Sequence, residues 1–151
     1  MTLGPARGAA AVHGRDLTPA PLGFGGVTVE PGLNAAVEHT VTDADTATVL
    51  GSGDVPVLGT PRLVALAEAA TVAALAGRLD GGQTSVGTRV ELDHLAATAV
   101  GGTVVVRAEL SAVDGRSLRF AITAVDGSGT TVGRGTLVRA VVDRVRFLSR
   151  L

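Results

Sequence analysis

The sequence predicts an α+β domain in which a strongly curved antiparallel sheet wraps around one long apolar helix. Two observations predict this fold class: one segment has the caps and composition of a long buried helix, and the chain after it alternates apolar and polar residues between glycine-rich turns. A sheet with one apolar face is covered by packing a helix against that face. We divide the 151-residue chain into a tail, residues 1–33, and one domain, residues 34–151.

The tail is rich in Gly, Pro and Ala and has no sustained helical or strand period. It holds four of the six prolines and seven of the 21 glycines of the chain. Because such a segment buries too little apolar surface to offset the entropy lost on ordering, we predict that it is flexible.

The first part of the domain is predicted to contain two short strands followed by a loop. Residues 34–41, NAAVEHTV, and residues 46–50, TATVL, have the composition of strands, and the turn signal from Asp43 to Asp45 separates them. Residues 51–59, GSGDVPVLG, have the glycine and proline content of a loop.

The helix is predicted to run from Thr60 to Gly77, over TPRLVALAEAATVAALAG. Thr60 is a favourable N-cap, Pro61 stands at the first helical position, where its missing N–H costs nothing, and Gly77 is a favourable stop. The segment is apolar nearly all round, so it should be enclosed. Because one small sheet cannot cover it fully, we expect a second copy of the chain to complete its burial in a homodimer.

Four antiparallel strands are predicted after the helix, with Asp-Gly and Gly-rich turns between them. On the second of these strands Val104 and Val106 share one face, while Arg107 and Glu109 share the other. The next strand repeats the alternation, so one sheet face is buried and the other is more polar. The predicted bounds are Ser85–Ala97, Thr103–Val113, Ser117–Val125 and Thr131–Val142.

The composition excludes several classes of protein. Thirteen Lys and Arg against 14 Asp and Glu give a net charge of −1, which does not favour binding along nucleic-acid phosphates. The absence of Cys excludes disulfides, thiolate zinc sites and a Cys nucleophile, and the three His show no metal-ligand spacing. No apolar run reaches about 18 residues, and the N-terminus has no secretion signal. We expect a cytoplasmic protein without metal, cofactor, membrane or nucleic-acid partner.

Glu68 is the first candidate for chemistry. It is a carboxylate within an Ala, Leu and Val helix, where burial costs free energy unless the charge is paired or used. The alternative is that Glu68 marks the one solvated stripe of the helix, near Arg62 in projection.

Thr60 is the second candidate, although an N-cap threonine followed by proline needs no function to explain it. In the functional interpretation, the free amides of Arg62 and Leu63 in the first helical turn hold negative charge that develops beside Thr60. A helix cap and a site can coincide.

His94 is the best candidate among the three histidines. Strand alternation places it on the face of Leu92 and Ala96, which is also typical of a buried core histidine. His13 in the tail and His39 in the first strand are weaker candidates, because no partner residues flank them.

Spacing alone does not join these candidates. Thr60 and Glu68 are eight positions apart, hence about 12 Å along the helix axis and about 80° around it. Either an extended substrate runs along the helix, or the groups meet across a subunit interface.

Three stretches of the sequence resemble a known family. GTPRLVALAEAA, followed by VGTRVELDHLAATAVGGTVVVRAELSAVDGRSLRF and by GRGTLVRAVV, is similar to the hot-dog-fold thioesterases related to fluoroacetyl-CoA thioesterase. The similarity runs over residues 34–146. It implies a hot-dog fold, a dimer with sites at the subunit interface, and hydrolysis of an acyl thioester.

The resemblance also implies a site. The catalytic Thr, Glu and His of the family fall on Thr60, Glu68 and His94 with the same spacing. The glycine of the family that lies close to the acyl group falls on Gly87, and its late-strand arginine, which shapes the acyl pocket, falls on Arg139.

The expected reaction is hydrolysis of a small or medium acyl-CoA, or of a thioester on a carrier protein, to the free acid and the thiol. The family's namesake has aromatic residues in a longer lid loop that favour a fluorinated acyl group, whereas residues 51–59 contain no Phe, so the resemblance does not extend to that preference. The alternatives are a non-catalytic acyl-thioester-binding protein and, ranked below hydrolysis, a hydratase or dehydratase.

Overall fold

A computed structural model describes residues 22–24 and 27–151 of the chain. Its strands and helices, in chain order, are β1 Leu22–Phe24, β2 Val27–Val29, β3 Asn34–Thr40, a 3-10 turn Asp43–Asp45, α1 Ala47–Leu50, α2 Thr60–Ala74, β4 Gln83–His94, β5 Thr103–Asp114, β6 Ser117–Asp126, β7 Thr131–Asp143 and α3 Arg144–Leu148.

The main sheet has five antiparallel strands in the order β3-β5-β6-β7-β4, and β1 pairs with β2 in a separate hairpin. Within the main sheet β3 and β4 are the edge strands. The helix α2 packs against β3, β5, β4 and β7, so one long helix lies on one face of the sheet. This arrangement confirms the α+β class.

The core forms where the sheet and α2 meet. Val104, Val106 and Ala108 on β5 are fully buried, as their alternation predicts. On the helix, Leu63 and Ala67 face them with the spacing of one helical face. Three of the buried residues of the helix are alanines, Ala67, Ala70 and Ala74, so the backbone of α2 can lie close to the sheet.

The segment 46–50 was predicted to be a strand, and that prediction is wrong, because it forms α1. The Thr46 hydroxyl accepts a hydrogen bond from the Val49 amide at 3.3 Å, and Thr42 and Asp45 form a capping box one turn earlier. Gly51 ends α1 at a φ of 73°. Local hydrogen bonds from side chains to the backbone therefore outweigh the strand propensity of these residues.

The helix α2 also differs from its prediction at both ends. Its N-cap is Gly59 instead of Thr60, and Thr60 is already helical. The helix ends at Ala74, and Gly77, with a φ of 70°, belongs to the turn that follows. In the described part of the chain, no helix is both long and apolar enough to cross a membrane.

The expected enclosure of α2 is not reached within one chain. The helix buries a single face, and Val72 on another face is 51% exposed. An apolar face of the helix therefore stays in contact with water in the isolated chain.

The predicted tail, residues 1–33, includes residues that belong to the domain. Val29 is fully buried in the core, and around it the Gly32 amide donates to the Leu110 carbonyl at 2.9 Å while the Leu110 amide donates to the Leu33 carbonyl at 2.7 Å. The domain therefore includes residues 29–33. Residues 1–21, 25 and 26 lie outside the described residues, so the flexibility predicted for them stays a prediction.

Candidate active site

Thr60 and His94 form a side-chain pair at the start of α2. Thr60 is the first residue of that helix and His94 is the last residue of β4, and 2.8 Å separates Thr60 Oγ1 from His94 Nδ1. The amides of Leu95 and Ala96 both donate to the Val132 carbonyl, which holds the chain after His94 against β7. The fold thus brings together two residues that are 34 positions apart.

The His94 ring is set up as a neutral imidazole. Burial lowers the pKa of His94 below its ordinary value of 6.5, and the nearby Ala96 backbone offsets only part of this effect. His94 Nε2 is buried, and no described residue offers it a hydrogen-bond partner. In the neutral tautomer with its proton on Nδ1, which then donates to Thr60 Oγ1, Nε2 is the atom able to take up a proton.

A cavity of about 370 Å³ opens in front of this pair. Thr60 and His94 line it together with the loop that precedes α2 and the segment that follows β4. The loop is held in place because the Ala47 amide donates to the Val57 carbonyl at 2.9 Å and the Leu58 amide to the Thr98 carbonyl at 2.8 Å. The residues that line this cavity include no aromatic side chain.

Glu68 meets Arg139 in the middle of α2. Arg139 Nη1 lies 3.2 Å from Glu68 Oε2, and the arginine side chain is 6% exposed whereas that of Glu68 is 40% exposed. Arg139 also donates from Nε to Ser85 Oγ at 2.8 Å and from Nη2 to the Ser85 carbonyl at 2.9 Å. The carboxylate of Glu68 is thus partly solvated and paired with Arg139 on β7, while Arg62, which lies near it in helical projection, pairs with Asp45.

Gly87 completes this group. A Cβ atom at Gly87 would lie 2.7 Å from Glu68 Oε2 and 3.8 Å from Arg139 Nη1. Gly87 is the register partner of Arg139 on β7, and the pairing shifts between Gly87 and Arg89. Only a glycine leaves room here for the carboxylate. We name Glu68, Gly87, Arg139 and Ser85 the mid-helix cluster.

The five predicted site residues therefore form two groups instead of one. Thr60 pairs with His94, and Glu68 lies with Gly87 and Arg139. Within the described part of the chain, no hydrogen bond or ion pair links the two groups. Their separation follows from the helical rise, which puts about 12 Å between positions 60 and 68.

The prediction that the first-turn amides of Arg62 and Leu63 are free is wrong. Both donate to the Gly59 carbonyl, at 3.0 and 3.1 Å, so neither is available to a ligand. Among the described residues, the Thr60 amide has no backbone acceptor. Thr60 therefore contributes its hydroxyl to His94 and leaves its own N–H as the open donor of the turn.

Asp45 is a residue that the sequence reasoning missed. Its side chain is 5% exposed, and Oδ2 lies 2.7 Å from His39 Nε2 and accepts the Thr42 amide at 2.7 Å. Burial raises the pKa of Asp45, but the Thr42 amide, the His39 ring and the Thr42 hydroxyl outweigh burial and lower the pKa to about 2. His39, which was set aside for lack of a partner, thus has one.

Asp45 also fixes the start of α2. Its Oδ1 lies 2.9 Å from Arg62 Nε, in an ion pair that is not aligned as a hydrogen bond, and its carbonyl accepts the Gly59 amide at 2.9 Å. Gly59 and Arg62 flank Thr60. The sequence signal that could have indicated the group of His39, Asp45 and Arg62 is the spacing of Thr42 and Asp45, which is that of a capping box.

Similar solved structures define the fold and the class. The crystal structure of a hot-dog-like protein from Thermanaerovibrio acidaminovorans matches 80% of this chain and 88% of its own, with a TM-score of 0.73 at 24% identity, and shows the hot-dog fold. A thioesterase superfamily member from Thermus thermophilus matches 81% of this chain and 91% of its own, with a TM-score of 0.74 at 27% identity. The chain thus has the fold of the hot-dog thioesterases.

The family follows from closer relatives. A family model described as fluoroacetyl-CoA-specific thioesterase matches residues 41–145. A fluoroacetyl-CoA thioesterase from Streptantibioticus cattleyicolor is 41% identical over 95 residues, which are 63% of this chain and 68% of the relative. A solved fluoroacetyl-CoA thioesterase matches 81% of this chain and 94% of its own, at 34% identity and a TM-score of 0.75. This chain belongs to the fluoroacetyl-CoA-specific thioesterase family.

The comparisons confirm three predictions made from the sequence: the family resemblance, the hot-dog fold and the class of thioester hydrolase. The roles of individual residues, the acyl group and the oligomeric state stay predictions.

Proposed function

We propose that this chain hydrolyses a small or medium acyl-CoA thioester to the free acid and CoA. Thr60, Glu68 and His94 are the catalytic residues, and Gly87 and Arg139 lie beside the acyl group. The observation that carries this proposal is the Thr60–His94 pair, which combines a buried, partnerless Nε2 with a lowered histidine pKa at the wall of a cavity.

His94 is the general base. With the ring proton on Nδ1, which lies 2.8 Å from Thr60 Oγ1 and donates to it, Nε2 is the nitrogen that accepts a proton from water and later returns it to the sulfur of the leaving thiolate. Thr60 orients His94, not Glu68. The open Thr60 amide is the donor that stabilises the oxyanion formed from the thioester carbonyl.

Glu68 supplies the second acid–base group or the nucleophile. In either route an oxygen forms a bond to the acyl carbon, the C–S bond breaks, its electron pair goes to sulfur, and a proton converts the thiolate to CoA. Attack by Glu68 forms an anhydride that water then opens, whereas base catalysis lets water attack directly. Label found in the Glu68 carboxylate after a single turnover in ¹⁸O-labelled water would establish the anhydride route, because direct attack by water on the acyl carbon leaves that carboxylate unlabelled.

The acyl group is small and aliphatic. The cavity of about 370 Å³ is lined mainly by Ala, Val, Leu and Gly residues, with Ser52, Asp54, Thr60 and His94 as its polar members. The loop over residues 51–59 has no Phe, Tyr or Trp to contact a fluorinated carbon. We expect acetyl-CoA to propionyl-CoA and short branched acyl-CoA to be turned over with kcat/KM at least equal to that of fluoroacetyl-CoA.

The functional unit is a homodimer formed through β4. This strand is 12 residues long, lies at the edge of the sheet and contains no proline, so its outer hydrogen-bonding groups are open to a second copy. Pairing of two such edges about a two-fold axis also brings the uncovered face of α2, including Val72, towards the partner. Thr60 and His94 of one chain then join Glu68 of the other.

Thioester turnover by matched variants tests the catalytic roles. Glu68→Gln and His94→Ala should each lower kcat by about 10²- to 10⁴-fold with melting temperatures near that of the wild type. Glu109→Gln, which changes an exposed carboxylate on β5, is the control and should leave kcat unchanged. Undiminished rates in both variants would overturn the mechanism, and acyl-CoA that stays intact with the wild type in calorimetry would favour the binding-only alternative.

Mixing the two inactive variants tests the dimer. If the site combines chains, a heterodimer of Glu68→Gln and His94→Ala restores one of its two sites, and the mixture should regain up to about one quarter of the wild-type rate. Light scattering should give the mass of a dimer. A monomeric mass, or no recovery after subunit exchange, would contradict the shared site.

A further inference from the structure

We infer that a second cavity, beside α3, binds the phosphorylated adenosine end of coenzyme A; this inference rests on the proposed function. The cavity has a volume of about 240 Å³ and lies where β7 leads into α3, close to the turn between β5 and β6. Arg116, Arg146, Arg150 and Phe147 contribute to its lining. We name these four residues the α3 pocket.

The charges of the α3 pocket are largely uncompensated. The ion pairs in the described part of the chain involve none of its three arginines. Asp143 is the single carboxylate among the lining residues, and its Oδ1 accepts the Arg146 backbone amide at 2.8 Å. Arg144, in the adjoining cavity, adds a further cation. Three arginines that line one cavity and form no ion pair among the described residues suit the charge of phosphate, which guanidinium groups bind by charge-assisted hydrogen bonds.

Phe147 indicates that the ligand contains a planar base in addition to phosphate. Its side chain is 37% exposed although it lines the pocket, whereas Phe120 is fully buried in the core. An accessible aromatic face stacks on a planar base, and every base has such a face. Phosphate-binding groups next to a stacking surface are typical of a nucleotide site.

The α3 pocket is connected to the mid-helix cluster. Phe147 also lines an adjoining cavity of about 190 Å³ that reaches Ser85, and Ser85 accepts a hydrogen bond from Arg139. Along β7, Asp143 lies four residues beyond Arg139, a distance of about 13 Å. A nucleotide held in the pocket thus leaves its pantetheine arm to extend towards Glu68, which is why we assign the nucleotide of coenzyme A.

Binding of adenosine 3′,5′-bisphosphate tests the pocket without any thioester chemistry. Calorimetry should show saturable binding by the wild-type chain and at least about tenfold weaker binding by the double variant Arg146→Gln/Arg150→Gln, because each charge-assisted hydrogen bond is strong. The control Arg119→Gln removes an exposed arginine on β6 that does not line the pocket, and it should bind like the wild type.

Kinetics then test whether the pocket serves the reaction. For the double variant, KM for acetyl-CoA should rise at least about tenfold while kcat stays unchanged, because the arginines do not touch the reacting atoms. With acetyl-pantetheine, which lacks the nucleotide, the double variant and the wild type should have the same KM.

The two proposals fail in different ways. Absence of bisphosphate binding by the wild type, or an equal loss in Arg119→Gln, overturns the nucleotide site. Hydrolysis of acetyl-CoA with an unchanged KM in the double variant also overturns it but leaves the thioesterase intact. Bisphosphate binding that the double variant loses supports the site even if the wild type hydrolyses no thioester, a result that would overturn the proposed function alone.

Discussion

The Thr60–His94 pair and the mid-helix cluster lie along the same helix but are built in opposite ways. The pair has one hydrogen bond between its side chains and leaves His94 Nε2 buried without a partner among the described residues. In the cluster, Arg139 donates to Glu68 and to both the hydroxyl and the carbonyl of Ser85. The pair therefore keeps one ring nitrogen of His94 without a partner among the described residues, whereas in the cluster all three guanidinium nitrogens of Arg139 donate hydrogen bonds.

This difference suits the two chemical tasks that we propose for the groups. A group that transfers a proton needs a free atom and a pKa close to the working pH, and the burial that lowers the pKa of His94 keeps the ring neutral near pH 7. A group that fixes a charge relative to the acyl carbon must not reorganise during the reaction, and the network around Arg139 meets that requirement. The contrast predicts different responses to substitution.

Gly87→Ala should have the largest effect, and it acts on the cluster. The new Cβ meets Glu68 Oε2 at 2.7 Å and displaces the carboxylate, so kcat/KM should fall about 100-fold, the loss typical of a 1 Å misplacement. The melting temperature should change less than kcat/KM, because the displaced atom is the end of the half-exposed Glu68 side chain. The measurement is kcat/KM together with the melting temperature.

Gly81→Ala is the matched control for this substitution, because a Cβ at Gly81 meets nothing within 4 Å. It should leave both quantities unchanged. If Gly87→Ala melted far below the wild type while the folded fraction kept its rate, the glycine would serve strand packing and not the site.

Asp45→Asn should have the next largest effect, and it lowers the free energy of unfolding. Asp45 holds Gly59 and Arg62 at the start of α2, on either side of Thr60 in the Thr60–His94 pair. Because the folded-state pKa of Asp45 is about 2, against 3.8 for the free group, its charge contributes about 2 kcal/mol to the free energy of unfolding. A lowered carboxylate pKa gives stability that is complete above the unfolded pKa and is lost as the pH falls from about 4 to about 2.

Urea unfolding at several pH values checks this prediction. The wild type should be more stable than Asp45→Asn at about pH 5, and the margin should shrink as the pH falls below about 4. Asp43→Asn, an exposed neighbour in the same turn, should not change the curve. If the difference in free energy of unfolding between the two proteins were independent of pH down to about 2, packing and not charge would account for the stabilisation by Asp45.

Thr60→Val should have the smallest effect, since it removes one hydrogen bond within the pair. Without the hydroxyl the His94 ring loses its fixed orientation, and kcat should fall about tenfold. Thr60→Ser keeps the hydroxyl and should restore most of the rate. Nitrogen chemical shifts of His94 should report mixed tautomers only in the valine variant, and equal rates in both variants would contradict the orienting role.

Local sequence signals account for most of the fold. The four strands after α2 were predicted within a few residues of their observed ends, because alternation and Asp-Gly turns are properties of neighbouring residues. The same reasoning failed at residues 46–50, where capping by Thr46 produced a short helix. The group of His39, Asp45 and Arg62 was missed because its members come from three different elements.

The sequence by itself determined the class of the fold and the family, and it led to the five proposed site residues, since these depend on periodicity and on motifs that stay together along the chain. Only the tertiary structure decided that Thr60 bonds to His94, that Glu68 bonds to Arg139 and that the two groups are separate within one chain. Distances between side chains on different strands depend on register and on the bulge after Gly87, which no local pattern specifies.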